Sequence, residues 1–187
     1  LEGHKVRHAD GLHDLLLALG DLTEEEIRGR SAGADPAEVP RWLEALLRER
    51  RVVRATIAGE PRIAAAEDAG RLRDALGVVP PPGLPAAFLE PVRDPLADLV
   101  SRYARTHGPF TADEVARRYG MLPAQLEAAL RALVASGRLC EDALRPGQAG
   151  RQLCDVEVLR QLRRRTLAHL RDEVSPVEAT VLARFLP

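Results

Sequence analysis

Aromatic residues are scarce in this sequence, and almost none of its positive charge is lysine. Only 3% of its 187 residues are aromatic: Trp42, Tyr103, Tyr119, Phe88, Phe110 and Phe185. Any core must therefore be built from Leu, Val and Ala, which suits small helical domains better than β-sandwiches. Lys5 is the sole lysine, so the basic character rests on arginine, the better partner for phosphate. The two cysteines, Cys140 and Cys154, are too few for a disulfide scaffold and are not spaced as a metal motif. They read as small buried side chains on neighbouring strands of a protein in a reducing compartment. No run approaches the ~18 apolar residues of a membrane span, and no secretory leader is visible, so the expectation is a cytoplasmic chain without a membrane partner. Net charge is −1, which excludes a global field that would draw in nucleic acid. Binding of that kind would have to come from local patches.

Catalytic and metal motifs are missing as well. There is no G-x-x-x-x-G-K-S/T phosphate loop, no H-E-x-x-H and no C-x-x-C. Asp113-Glu114-Val115 has a superficial likeness to a helicase DE-x-H box, but Ala116 stands where the His would be and no buried strand precedes it. The five histidines are scattered, and His8 and His13 are wrongly spaced for one helix face. No catalytic residue, metal site or cofactor is expected within this chain.

What the sequence does contain is a recurring helix-start grammar. Thr23 with Glu26, Thr111 with Glu114 and Ser175 with Glu178 each place an acceptor hydroxyl three residues before a glutamate, the spacing of a capping box. Each follows a short link after a helical stretch, which points to a repeated small domain. In the first repeat, Leu12, Leu15, Leu16 and Leu19 have helical spacing and Gly20 closes the helix. A capped helix from Thr23 and a third from Asp35–Pro36 to about Arg50 follow. The period then changes to two. Residues 52–57 and 62–65 read as strands around a turn at Gly59. Three helices and a two-stranded hairpin make a winged helix, and residues 67–76 read as a trailing helix.

Six prolines crowd residues 78–95, which predicts a stiff extended connector. The grammar then repeats. Helices over 95–106, 111–120 and 122–136 lead to wing strands 138–141 and 152–155, joined by a flexible tip over 142–151. Asp155 caps a long helix to Asp172, and Ser175–Pro176 opens another. The expected organisation is a tail over 1–9, a winged helix with its trailing helix over 10–77, a proline-rich linker over 78–93 and a second winged helix over 94–154. Residues 155–187 are the first two helices of a third, and the chain reads as a piece of something longer. The fold class is mostly α with small β wings, in tandem winged-helix domains.

Two basic clusters are candidates for nucleic-acid contact. Arg48, Arg51 and Arg54 lie at the end of the first recognition helix and on its wing strand. Arg160, Arg163 and Arg164 share one face of the long helix, offset from Leu159, Leu162 and Leu170. Arg131 is the one further candidate, on the second recognition helix. Both recognition helices mix these arginines with glutamates, so base-specific readout is weak and backbone binding is expected. The competing reading is a solvated or internally paired face, with the winged helices acting as a protein scaffold.

Three stretches carry a family resemblance: RIAAAEDAGRLRDALG (62–77), DPLADLVSRYARTHGPFTADEVARRYG (94–120) and CDVEVLRQLRRRTLAHLRDEVSPVEATVLARFLP (154–187). Together the chain resembles the C-terminal extension of bacterial long-form Lhr, the large helicase-related ATP-dependent DNA helicases. That resemblance implies tandem winged helices that bind DNA, single-stranded or without sequence preference, contact the rest of the parent chain and can form a homo-oligomer. It also implies a role in DNA repair. ATP and Mg would serve the parent's RecA-like lobes, whose residues are not in this sequence. Winged-helix DNA glycosylases related to this region carry a Gln-apolar-Gln signature, which Gln125, Gln148, Gln152 and Gln161 do not make. A glycosylase-like module and a bipartite winged-helix transcriptional regulator remain alternatives.

Overall fold

The computed structural model describes residues 6–31, 35 and 37–173. The first unit runs α1 (Ala9–Leu19), α2 (Glu24–Arg30), α3 (Glu38–Arg48), β1 (Val52–Ile57) and β2 (Glu60–Ala65). A 3-10 turn (Ala66–Asp68) leads into α4 (Ala69–Leu76). The second unit repeats the order as α5 (Pro95–Thr106), α6 (Ala112–Tyr119), α7 (Pro123–Ala135), β3 (Leu139–Asp142), β4 (Gln152–Asp155) and α8 (Val156–Glu173). This is the expected mostly helical winged-helix architecture.

The local causes are those the sequence displays. Thr23 Oγ1 accepts from the Glu26 N–H and the Glu26 carboxylate accepts from the Thr23 N–H; Thr111 and Glu114 do the same. Asp155 Oδ1 accepts from the N–H groups of Glu157 and Val158 and so starts α8. The first hairpin turns in two residues, Ala58 and Gly59, both at positive φ, as a tight twist-matched turn requires. Of the two helices expected for a third unit over 155–187, the first is α8, while the second, with the Ser175–Glu178 pair, lies outside the described residues.

Each unit adds a third, one-residue strand to its wing. Leu22, in the link before α2, exchanges two backbone hydrogen bonds with Ile63, at 2.9 and 2.8 Å. Phe110 does the same with Leu153, at 2.8 and 2.7 Å. These bridges tie the helix-turn-helix link to the hairpin, and both linking side chains are buried.

The third helix runs from Glu38, and Asp35 stands ahead of it with its carboxylate accepting from the Ala37 N–H and its backbone oxygen from the Glu38 N–H, both at 2.9 Å, the bonds of a helix entry. Leu133 completes the buried stripe of α7 with Leu126 and Leu130, and Val134 packs partly buried beside them. The tip of the second wing is pinned down. Arg145 forks onto both Glu114 oxygens at 2.7 and 3.1 Å, and the buried Gln152 accepts from the N–H groups of Leu144 and Arg145.

The first wing is buried on both faces. Alternation along a strand sends successive side chains to opposite sides. Val52, Ile63 and Ala65 join the helical core of the first unit, with Leu12, Leu16, Ile27 and Leu46. Val53, Ala55, Ile57 and Ala64 join the core of the second, with Leu99, Val100, Phe110 and Val115. Each fully buried aliphatic side chain contributes about 1.5–3 kcal/mol, so the wing binds the two units to each other through its outer face. The proline-rich connector is likewise no free spacer. It holds a 3-10 turn (Ala86–Leu89) against α4, where Arg73 donates to Leu89 O at 2.9 Å and Asp74 accepts from the Val92 N–H at 2.9 Å.

Charged groups complete the junction. Arg62, on β2, donates to the Asp21 carboxylate at 2.7 Å, and both side chains are almost wholly buried. Arg118, on α6 of the second unit, donates to Asp21 O at 2.6 Å and to Glu26 Oε1 at 3.0 Å. Asp68 is shared by Arg71 and by Arg102 of α5. Burial works to raise the Glu26 pKa, but the bonds from Arg118 and the Thr23 N–H outweigh it and hold the carboxyl below its ordinary value. The Arg145 bond holds Glu114 down in the same way.

Two outcomes follow for the fold. A Cβ on Gly70 would stand 2.8 Å from Phe88 O and 3.0 Å from Glu90 O, so Gly70→Ala must lift the connector off α4. It should cost ~1–3 kcal/mol in urea unfolding, where a glycine-to-alanine change at an open helical position gains about 0.4–1 kcal/mol. Arg118→Ala leaves Glu26 and part of Asp21 without their partner and should cost about 3 kcal/mol. Carboxyls with depressed folded values stabilise above their unfolded values and lose that contribution as pH falls through the folded values. Stability should therefore drop below about pH 4, with a shallower fall in Glu26→Gln, both measured by thermal unfolding against pH.

Candidate nucleic-acid interface

A winged helix usually meets nucleic acid with its third helix and its wing, so the two recognition helices come first. On α3, Arg41, Glu44 and Arg48 are exposed and alternate in sign. Arg48 makes no side-chain bond among the described residues and is available. Arg51, grouped with it in sequence, turns away to the start of α1. It donates to Asp10 Oδ1 at 2.5 Å and to His13 Nδ1 at 3.2 Å. His13 in turn faces Glu67 at 3.3 Å. Arg54 stands on the half of the wing left exposed and reaches Glu24 at 3.5 Å. Strand alternation and the turn after α3 thus scatter three arginines that are close in sequence. They form no single patch.

The second recognition helix is poorer still. Its exposed positions include Leu122, Ala124, Ala128, Ala132 and Ala135. Gln125, its best base-reading side chain, bonds its carbonyl oxygen to the Leu122 N–H at 2.8 Å. Arg131 pairs with Glu127 one turn away at 3.1 Å. Between α7 and the second wing lies an open groove of about 890 Å³ with a mainly apolar lining that includes Pro123, Leu130, Val134 and Leu153. Its charged rim consists of Arg131 and Arg151, each beside a glutamate, Glu127 and Glu141.

The long helix α8 is different. It spans about 27 Å at 1.5 Å per residue, and every described side chain from Arg160 to Arg171 is exposed. Arg160, Arg163 and Arg164 fall on one stripe, as the sequence indicates, with Leu167 between them. Arg160 pairs with Glu157. Arg163 and Arg164 have no acidic partner among the described residues. The exposed pairs of Arg54, Arg131 and Arg160 are each worth little, and a phosphate can displace them. Arg51, with Asp10, His13 and Glu49 as partners, is the candidate the structure commits most firmly elsewhere.

Several arginines with decisive roles were not candidates. Arg62, Arg102 and Arg118 hold the unit junction, and Arg145 holds the second wing tip. Arg62 alone leaves a trace in the sequence, as a lone charge opening the apolar run RIAAA. The segment around Asp113 and Glu114 is structural. Glu114 is occupied by the Thr111 N–H and Arg145, while His107 stacks on Tyr103 at 3.7 Å and burial lowers its pKa. Cys140 and Cys154 face each other across the second hairpin as free thiols, and burial pushes Cys154 up to about 11, far from a reactive thiolate. No helix among the described residues is long and apolar enough to cross a membrane.

Comparison with known proteins adds a family. Residues 1–91 match the family model of the large helicase-related protein, winged-helix domain. The chain is 44% identical over 182 residues to a Mycolicibacterium smegmatis protein named Lhr helicase/probable uracil glycosylase, covering 97% of this chain. It is 39% identical over 184 residues to the Escherichia coli Lhr helicase/uracil glycosylase, covering 98%. The chain spans 12% of the length of each of these relatives. A solved structure, the DIP2311 protein from Corynebacterium diphtheriae, aligns over 79% of this chain and 26% of its own, with a TM-score of 0.37 at 16% identity. Residues 1–91 thus form a winged-helix domain of the Lhr type, and nearly the whole chain is similar to part of the Lhr helicases.

Proposed function

We propose that this chain is a non-catalytic holding module of an Lhr-type DNA helicase, gripping the nucleic-acid backbone without reading bases. The observation that carries this reading is the stripe on α8. Arg163 and Arg164 stand exposed and without acidic partners among the described residues, whereas arginines nearer the body of the protein such as Arg62, Arg102 and Arg145 are spent on internal carboxylates. Arg48, on the first recognition helix, is a second open cation. Neither recognition helix offers a run of Arg, Asn or Gln, so the contact would be to phosphate, single-stranded or without sequence preference. The rigid junction would let the module keep a bound strand in register with the rest of the parent chain. ATP and Mg would be handled by other parts of such a helicase, since this chain has no phosphate-binding loop. Both relatives carry uracil glycosylase in their names, which supports a role for the parent protein in DNA repair. Gln125 and Gln152 do not supply that chemistry here, because both bond local backbone groups. A second reading, a protein-contact scaffold that can also assemble copies, is favoured by the apolar groove beside α7.

Salt dependence separates the two. Phosphate contacts release counterions, and each contact to a single strand adds about 0.7 to the slope of log affinity against log salt. Charge reversal at Arg160, Arg163 and Arg164 together should weaken binding to several unrelated single-stranded oligonucleotides equally and lower the slope by up to about 2. Unchanged affinity and slope would remove α8 from the interface and leave the scaffold reading.

A further inference from the structure

A recess of about 400 Å³ opens between the outer face of the second wing and the start of α8. Cys140, Leu144, Val156 and Leu159 line it, and all four are half-buried. Glu141 and Asp142 stand in its wall, and the exposed Arg160 and Arg163 border it on the α8 side. The recess and the arginine stripe are therefore one continuous surface. Its counterpart in the first unit is built differently. The bridges Leu22–Ile63 and Phe110–Leu153 set the two wings in correspondence, so that the Cys140–Cys154 pair stands where Val53–Ala64 stands. Val53 and Ala64, with Ala55 and Ile57 beside them, are buried in the core shared with the second unit, and no charged side chain belongs to that cluster. An apolar protein face seated on the second wing in the same way would take two arginines and two carboxylates out of water, at a high desolvation cost. The charge around this recess suits a ligand that is itself part charged and part apolar.

We propose that the recess takes one nucleobase of a single strand whose backbone the arginine stripe grips, an inference that rests on the phosphate-binding reading above. Its volume lies within the about 300–1,000 Å³ of sites that enclose small ligands. A phosphate is repelled from the interior by Glu141 and Asp142 and attracted to the border by Arg160 and Arg163. A base carries no charge, and its flat face can lie against Leu144, Val156 and Leu159 as unstacked bases lie against apolar side chains. Charge thus sorts the two parts of a nucleotide between border and floor. The floor is aliphatic, so the fit is one of shape and does not distinguish a base sequence. It does distinguish strands: a duplex keeps its bases stacked and paired and must extrude one to fill the recess, whereas a single strand offers one at little cost.

Cys140 serves as a reporter of the recess. It is half-buried in the lining, while Cys154, the only other cysteine, is fully buried, so N-ethylmaleimide modifies Cys140 first. The whole chain is treated with N-ethylmaleimide alone, with a single-stranded oligothymidylate, and with an abasic strand of the same length, each strand at about nine-tenths occupancy. The base-bearing strand should slow modification of Cys140 about tenfold, and the abasic strand less than about twofold. In the reverse arm, protein already modified at Cys140 should bind the base-bearing strand about tenfold more weakly. It should bind the abasic strand as before, which also reports that the modified protein is folded. Equal slowing by the two strands, or slowing by neither while both are bound, overturns the base recess and leaves the phosphate reading in place. Failure of either strand to bind, or binding that survives charge reversal at Arg160, Arg163 and Arg164, overturns the phosphate reading and this inference with it.

Discussion

The arrangement of the two units depends on a buried ion pair. Arg62 and Asp21 are both nearly excluded from water, and an isolated charge in that position costs several kcal/mol. Each is tolerable only where the other stands. Asp21 comes from the link before α2, Arg62 from the first wing, and Arg118, which completes the group, from the second unit. Such a cluster adds little net stability compared with an apolar replacement, but it penalises every other relative placement of the three segments. The Nε of Arg62 lacks a partner among the described atoms, a cost of about 1–3 kcal/mol that the other bonds of the cluster must offset.

The apolar side of the junction acts in the same direction. A two-stranded hairpin is marginal by itself, and the first wing gains its order by serving two cores at once. Its inner residues belong to one unit and its outer residues to the next. The tip reaches α6, where a Cβ on Gly120 would stand 3.0 Å from the Cα of Ala58. This use of the wing has a functional consequence. A wing pressed against its neighbour is not free to enter a groove of DNA, and the proposed phosphate contacts accordingly lie on α3 and α8. Fold and proposed function thus share one cause.

Much of this was legible in the sequence because it is local. Capping boxes, the change of period from helix to strand, the prolines and the turn glycine each act within a few residues, and the corresponding elements form where those signals lie. The Lhr resemblance was legible too, from long stretches in order. Pairing was not. Arg117 and Arg118 are neighbours of the same type, yet only Arg118 reaches Asp21 and Glu26, 97 and 92 residues away. Arg48, Arg51 and Arg54 look like one patch in sequence, and the turn after α3 and the strand alternation send them three ways. The outer face of β1 showed its alternation, but nothing near it in the sequence says what covers Val53 and Ile57. The proline-rich segment read as a spacer because proline chemistry is local, whereas its packing against Gly70 is not.

The account claims above all that the shared wing makes two winged helices a single cooperative body. Trp42 lies beside the first core only, while helices of both units contribute to far-ultraviolet circular dichroism. Urea unfolding followed by Trp42 fluorescence and by circular dichroism on the same samples is the direct measurement. The account predicts one transition with coincident midpoints by both probes. A Trp42 transition separated from a substantial part of the circular dichroism change would contradict it, because the first unit would then unfold without the second.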